Sequence, residues 1–151
     1  MTEGDAIPAV TLTGADDRPI DLATLPCPLV VYFYPKDDTS GCTREAQDFT
    51  ALAADFTGAG VHLLGVSKDS PASHAKFTAK HALGIDLASD QDGAACEAFG
   101  VWVEKSMYGR TYMGIERATF LFAGDGTLAR VWRKVKVPGH AAAVLTAARA
   151  L

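Results

Sequence analysis

The stretch LVVYFYPKDDTSGCTREAQDF, residues 29–49, joins a short apolar run to a segment with helical periodicity. Residues 29–34 are all apolar or aromatic, which is typical of a strand buried on both faces of a parallel sheet. From Ala46 to Phe56, apolar side chains recur at helical spacing. The stretch therefore predicts a buried strand followed by a helix, with Cys42 close to the start of that helix.

The ends of this helix are also indicated by the sequence. Thr39 or Ser40 can cap its N-terminus, and Glu45 lies early enough to favour the positive end of the helix dipole. The sequence GAG at 58–60 predicts its end.

The remaining patterns predict an α/β fold. Two short strand-like segments around residues 15–17 predict an N-terminal hairpin. Further strands are predicted at 61–67 and 85–89, helices at 70–84, 93–100 and 140–151, and a hairpin over 118–137 about GDG. This order predicts a thioredoxin-like core: a central mixed sheet flanked by helices, preceded by the N-terminal β-hairpin.

Two further interpretations concern residues 101–117 and the histidines. Residues 101–117 show no sustained period and are predicted to form a long loop, whose side chains Trp102, Tyr108, Tyr112 and Met113 either wall a site or pack elsewhere. His74 and His81 are interpreted as solvated surface residues of the 70–84 helix, and no histidine has metal-ligand spacing.

Length and composition limit the classes of protein. We expect one domain over residues 1–151, because this length can bury a sizeable core. The net charge of −4 argues against nucleic-acid binding. We expect no secretory signal, no membrane span, and a cytoplasmic protein whose three cysteines are reduced.

Cys42 is the strongest candidate for chemistry. It follows a strand at the carboxyl edge of the predicted sheet and lies in the first helical turn, where free amides and the helix dipole favour an anion. Lowering an ordinary cysteine pKa from about 8.5 to about 6 needs roughly 3.4 kcal/mol, whereas a helix terminus usually supplies about 0.3–1 kcal/mol. A second partner is therefore required, and Arg117 is the candidate, whereas Arg44 is expected to face solvent.

The residues around Cys42 resemble a known family. PKDDTSGCT (35–43) matches the peroxiredoxin pattern Pro-x-x-x-Thr-x-x-Cys, and the longer stretch YFYPKDDTSGCTREAQDF (32–49) resembles the bacterioferritin-comigratory protein, or PrxQ, branch. Segments 100–122 and 131–140 resemble that branch in the same order. The resemblance implies a peroxiredoxin fold and a thiol-dependent peroxidase that reduces hydrogen peroxide and organic hydroperoxides, with no cofactor and no metal.

The resemblance also implies roles for individual residues. The Cys42 thiolate would attack the peroxide and become a sulfenic acid. Arg117 would hold the thiolate and stabilise charge on the oxygens, while the Thr39 hydroxyl would align the peroxide. Pro35 would shield the pocket, and the backbone near Gly41 would add amide donors.

The usual resolving cysteines are missing. Gln47 and Thr78 occupy the two positions at which relatives carry them, so we expect a one-cysteine mechanism with an external thiol such as thioredoxin, glutaredoxin or a small thiol. Cys27 is expected at the opposite end of the sheet. Cys96 stays open as a resolving residue that would need local unfolding. The resemblance further implies a monomer.

Two other functions compete with the peroxidase. A disulfide reductase normally uses a CxxC motif, but the residue three before Cys42 is Thr39. A redox sensor, in which oxidation changes binding to a partner, needs only the reactive thiol.

Overall fold

A computed structural model describes all residues 1–151, as nine strands and four α-helices. The strands are β1 (Thr11–Thr13), β2 (Pro19–Asp21), β3 (Leu29–Phe33), β4 (His62–Ser67), β5 (Asp86–Ser89), β6 (Trp102–Met107), β7 (Arg110–Ile115), β8 (Ala118–Phe122) and β9 (Leu128–Trp132). The helices are α1 (Ser40–Gly58), α2 (Pro71–His81), α3 (Ala94–Ala98) and α4 (His140–Arg149). No helix combines the length and the apolar character that crossing a membrane requires.

Seven strands form one mixed sheet in the order β2-β1-β5-β4-β3-β8-β9. Strands β3, β4 and β5 are parallel, as their connections through α1 and α2 require, whereas β8 is antiparallel to β3. The predicted N-terminal hairpin is confirmed as the antiparallel pair β1 and β2. The structure thus confirms the thioredoxin-like α/β class.

The central strand β3 is buried along its whole length and divides the core in two. Leu29, Val31 and Phe33 join a cluster that includes α3, while Val30 and Tyr32 join a cluster with α1, α2 and α4. Alternate side chains of a strand point to opposite faces of its sheet, so the two clusters lie on the two faces.

The prediction of a long loop over 101–117 is wrong. Strands β6 and β7 pair as a separate hairpin, and its two turn residues, Tyr108 and Gly109, both have positive φ. The arms are largely exposed, so they show no apolar alternation that a sequence pattern could reveal. Trp102 packs against the core, whereas the Tyr108 side chain is 98% exposed at the tip.

Three smaller predictions need correction. Thr39 occupies the N-cap position of α1, but its side chain makes no capping hydrogen bond to the helix. Strand β9 ends at Trp132, because the backbone bends at Lys134, where φ is +47°. His74 is 5% exposed and therefore not a surface residue. It lies on the same face of α2 as the buried Phe77, and its ring nitrogen Nδ1 is 2.7 Å from the Asp37 carboxylate.

Candidate active site

Cys42 lies in the first turn of α1 and is only 2% exposed. The amide of Thr43 already donates to the carbonyl of Thr39 at 2.8 Å. The amides before it, including those of Gly41 and Cys42, have no carbonyl within the helix to bond. The Cys42 sulfur is therefore placed where free N–H groups and the helix dipole favour a negative charge.

Arg117 reaches this sulfur from a distant part of the chain. It immediately precedes β8, whose first residue Ala118 pairs with Phe33 at the end of β3. Because β8 runs antiparallel to β3, its beginning lies beside the turn that leads into α1. Arg117 Nη2 donates to Cys42 Sγ at 3.3 Å. The backbone of Arg117 is itself held, because its carbonyl accepts from the Val135 amide at 3.0 Å.

Glu45 completes the arrangement and was not predicted as part of the site. Its Oε1 accepts from Arg117 Nη1 at 2.6 Å, so the two ends of the guanidinium fork bind the carboxylate and the sulfur. Glu45 is 1% exposed although it carries a charged group. The available signal was its position three residues after Cys42, on the same buried face of α1 as Ala46 and Phe49.

Burial and charge shift the acidity of both partners. Burial raises the pKa of Glu45 to about 7, and the Arg117 guanidinium opposes this rise. Burial alone would lower the pKa of Arg117, but Glu45 and Cys42 together raise it above its ordinary value. Arg117 therefore remains a permanent cation next to the sulfur.

Gly41 allows this cation to approach. A Cβ atom added at Gly41 would lie 3.3 Å from Arg117 Nη2, which is a tighter separation than side chains usually adopt. The absence of a side chain at this position therefore keeps the space between the helix start and the guanidinium open.

Thr39 and Pro35 lie in the exposed turn between β3 and α1. The Thr39 hydroxyl donates its proton to the Lys36 carbonyl at 3.1 Å. The lone pairs of the Thr39 oxygen consequently remain available to accept a hydrogen bond. The expectation that Pro35 shields the site stays a prediction.

The other cysteines lie on the opposite face of the sheet. All three thiols are free, but Cys96 and Cys27 pack with the cluster around α3, whereas Cys42 belongs to the cluster around α1. Cys96 is fully buried, and burial together with the Asp90 carboxylate raises its pKa well above the ordinary range. At the two usual resolving positions, Gln47 is exposed and Thr78 is partly exposed.

One group of side chains brings potential metal ligands together. One atom each from Asp37, Asp69 and His74 lies within 4.8 Å of the others. These atoms already serve as hydrogen-bond partners of one another and of nearby hydroxyl and amide groups, so hydrogen bonding accounts for the arrangement.

Comparison with known proteins identifies the family. The model of the AhpC/TSA family matches residues 3–131. Peroxiredoxin Bcp of Xanthomonas campestris is 55% identical over 122 residues, which cover 81% of this chain and 76% of that protein.

Solved structures agree with this match. The bacterioferritin comigratory protein of X. campestris, described for its alkyl peroxide reduction activity, superposes with a TM-score of 0.88 at 47% identity, covering 97% of this chain and 98% of that one. A cysteine-to-serine variant of PrxQ from Xylella fastidiosa gives a TM-score of 0.92 at 39% identity, covering 99% and 96% of the two chains. This chain therefore belongs to the AhpC/TSA family and, within it, to the Bcp/PrxQ branch of the peroxiredoxins, which are thiol-dependent peroxidases.

Proposed function

We propose that this peroxiredoxin reduces hydrogen peroxide and organic hydroperoxides through a sulfenic acid at Cys42. The observation that carries the proposal is the 3.3 Å contact from Arg117 Nη2 to Cys42 Sγ at the amide-rich start of α1. An adjacent guanidinium stabilises the thiolate, which is the nucleophilic form of cysteine.

The first half-reaction is a displacement at oxygen. The Cys42 thiolate attacks one peroxide oxygen, a sulfur–oxygen bond forms, and the oxygen–oxygen bond breaks. The leaving oxygen takes the electron pair and then a proton, so water or an alcohol departs. Arg117 and the amides of Gly41 and Cys42 stabilise negative charge on the oxygens.

Thr39 orients the peroxide in this proposal. Its hydroxyl proton is engaged by the Lys36 carbonyl, so its oxygen accepts the O–H of the peroxide. A peroxide held in this way presents one oxygen to the sulfur with the second in line behind it. Pro35, in the same turn, limits the access of water to the pocket.

We further propose that an external thiol completes the cycle. The thiol attacks the Cys42 sulfenic acid, releases water and forms a mixed disulfide, and a second thiol reduces that disulfide. Gln47 and Thr78 lack sulfur, and Cys96 is separated from Cys42 by the sheet. Thioredoxin, glutaredoxin and small thiols are the candidate reductants, and we expect the enzyme to act as a monomer in the cytoplasm.

One experiment tests the reactive residue. Reduced protein is mixed with stoichiometric hydrogen peroxide and followed by intact mass, free-thiol counting and trapping with a sulfenic-acid reagent. We expect rapid addition of one oxygen atom at Cys42. A Cys42→Ser variant that consumes peroxide as fast as the parent would refute the proposal.

The matched variant Cys96→Ser tests the resolving step. We expect it to turn over with an external thiol at the rate of the parent. A Cys42–Cys96 disulfide in the oxidised parent would overturn the one-cysteine mechanism while leaving the peroxidase itself intact.

A further inference from the structure

A buried polar cluster lies beside the active site and makes no hydrogen bond to Cys42, whose side-chain partner is Arg117. Its centre is Asp37, which is 8% exposed in the turn after β3. Tyr34 donates its hydroxyl to Asp37 Oδ1 at 2.6 Å, and the Ser73 hydroxyl donates to Oδ2 at 2.8 Å. His74 Nδ1 lies 2.7 Å from the same Oδ2. Three side chains therefore converge on one carboxylate, one from the same turn and two from α2.

Both ring nitrogens of His74 face hydrogen-bond acceptors. His74 Nε2 lies 3.1 Å from the carbonyl oxygen of Ala88, and Nδ1 faces the Asp37 carboxylate. Burial works to raise the pKa of Asp37, but the hydrogen bonds from His74 and Tyr34 hold it below its ordinary value. His74 and Asp37 thus form a buried hydrogen-bonded pair.

The backbone of the same turn is also tied down. The Asp37 amide donates to Asp69 Oδ2 at 2.8 Å, and this carboxylate accepts from the Ser67 hydroxyl at 2.7 Å. Ser67 is the last residue of β4, and Asp69 lies between β4 and α2. The main chain of Asp37 is therefore bound to the β4–α2 connection, and its side chain is bound to α2.

The position of Asp37 connects this cluster to the chemistry. Asp37 lies two residues before Thr39 and five before Cys42, within residues 34–39, the catalytic loop. The Lys36 carbonyl in that loop fixes the Thr39 hydroxyl. A shift of the loop would therefore move the group that orients the peroxide and the start of α1 together.

We infer that the hydrogen-bonded pair of His74 and Asp37, here called the clamp, positions the catalytic loop for attack on peroxide. His74 is a positioning residue, because its hydrogen-bond partners are Tyr34, Asp37 and the Ala88 carbonyl, and it acts through the loop. This inference rests on the proposed role of Cys42.

The clamp has opposite effects on the two half-reactions. Peroxide attack requires the loop in its closed geometry, since small displacements of reacting groups slow a reaction strongly. Reduction by an external thiol requires access to a sulfur that is only 2% exposed, so the loop and the first turn of α1 must open. The clamp therefore speeds the first step and slows the second.

The test measures the two steps separately in His74→Gln and in the matched control His62→Gln, a partly exposed histidine at the start of β4. Oxidation of reduced protein by hydrogen peroxide is followed by rapid quenching and mass analysis. Reduction of the preformed sulfenic acid is followed with dithiothreitol. For His74→Gln we expect oxidation about 10- to 100-fold slower than in the parent and reduction faster than in the parent. The control should match the parent in both steps.

The outcomes separate this inference from the proposed function. Oxidation of His74→Gln at the parent rate, or reduction that is no faster than in the parent, overturns the clamp. A parent protein that shows no reaction at Cys42 overturns the proposed function instead. If His74→Gln does not fold, Ser73→Ala removes a single donor to Asp37, and we expect the same opposite changes at a few-fold size, with unchanged rates refuting the clamp.

Discussion

Replacing Arg117 with alanine removes the donor that lies 3.3 Å from Cys42 Sγ. Two unit charges at that separation interact by about 5 kcal/mol when the effective dielectric constant is near 20. Glu45 shares the same guanidinium, and the Arg117 side chain is 17% exposed, so water screens part of the attraction. Allowing about half, we expect a loss of about 2–3 kcal/mol, or roughly 30- to 150-fold in the rate of peroxide attack at neutral pH.

The single variant also leaves the buried Glu45 carboxylate without its partner, which can destabilise a protein by about 3–5 kcal/mol. The double variant Glu45→Gln/Arg117→Ala removes this complication, because no carboxylate remains to be compensated. Arg117→Lys supplies a charge without the planar fork, so it cannot bind the sulfur and Glu45 as the arginine does, and we expect about a 10-fold loss.

The assay is the second-order rate constant for oxidation of the reduced protein by hydrogen peroxide, measured by rapid mixing. Circular dichroism and thermal unfolding check that each variant is folded. We expect Arg117→Ala and Glu45→Gln/Arg117→Ala to lose the same factor in the rate of oxidation, although their stabilities differ. A double variant that remains folded and reacts within about threefold of the parent would refute the role of the guanidinium.

Three further predictions follow from the geometry. Thr39→Val removes the oxygen that accepts from the peroxide and should slow oxidation about 10-fold, whereas Thr39→Ser should retain most of the rate in the same mixing assay. In Gly65→Ala the new Cβ would lie 2.7 Å from Tyr32 Cζ, so denaturant unfolding should show a loss of about 1–3 kcal/mol, in contrast to Gly124→Ala, where nothing lies within 4 Å. Burial raises the pKa of Glu45 from 4.5 to about 7, so the folded state binds this proton more tightly than the unfolded chain. The free energy of unfolding of the parent, relative to Glu45→Gln, should therefore fall as the pH rises from about 5 to about 8, and urea titrations at several pH values check this.

Much of the fold could be predicted because its signals are local. The apolar run of β3, the Ser70 cap of α2 and the GDG turn each involve a few neighbouring residues, and the structure contains all three elements. The hairpin of β6 and β7 escaped prediction for the same reason: its arms are largely exposed and carry no apolar period.

The candidate site was only partly accessible from the sequence. The motif around Cys42 indicated the reactive sulfur and the start of the helix. An arginine was expected beside it, because a helix terminus alone does not stabilise a thiolate enough. Glu45 was not assigned to the site, because a glutamate near the start of a helix is equally well explained by the helix dipole. His74 was misjudged, because the carboxylate that lets it be buried lies 37 residues away.

The sequence by itself determined that a cysteine lies at the start of a helix that follows a buried strand, since strand and helix periodicity depend on adjacent residues. Only the tertiary structure decided which charges meet there. Arg117 lies 75 residues from Cys42 and reaches it through the antiparallel pairing of β8 with β3. Tertiary packing leaves Glu45 only 1% exposed, and the sheet places Cys96 on the face opposite Cys42. Desolvation and long-range pairing arise only when distant segments pack, so residue spacing alone does not encode them.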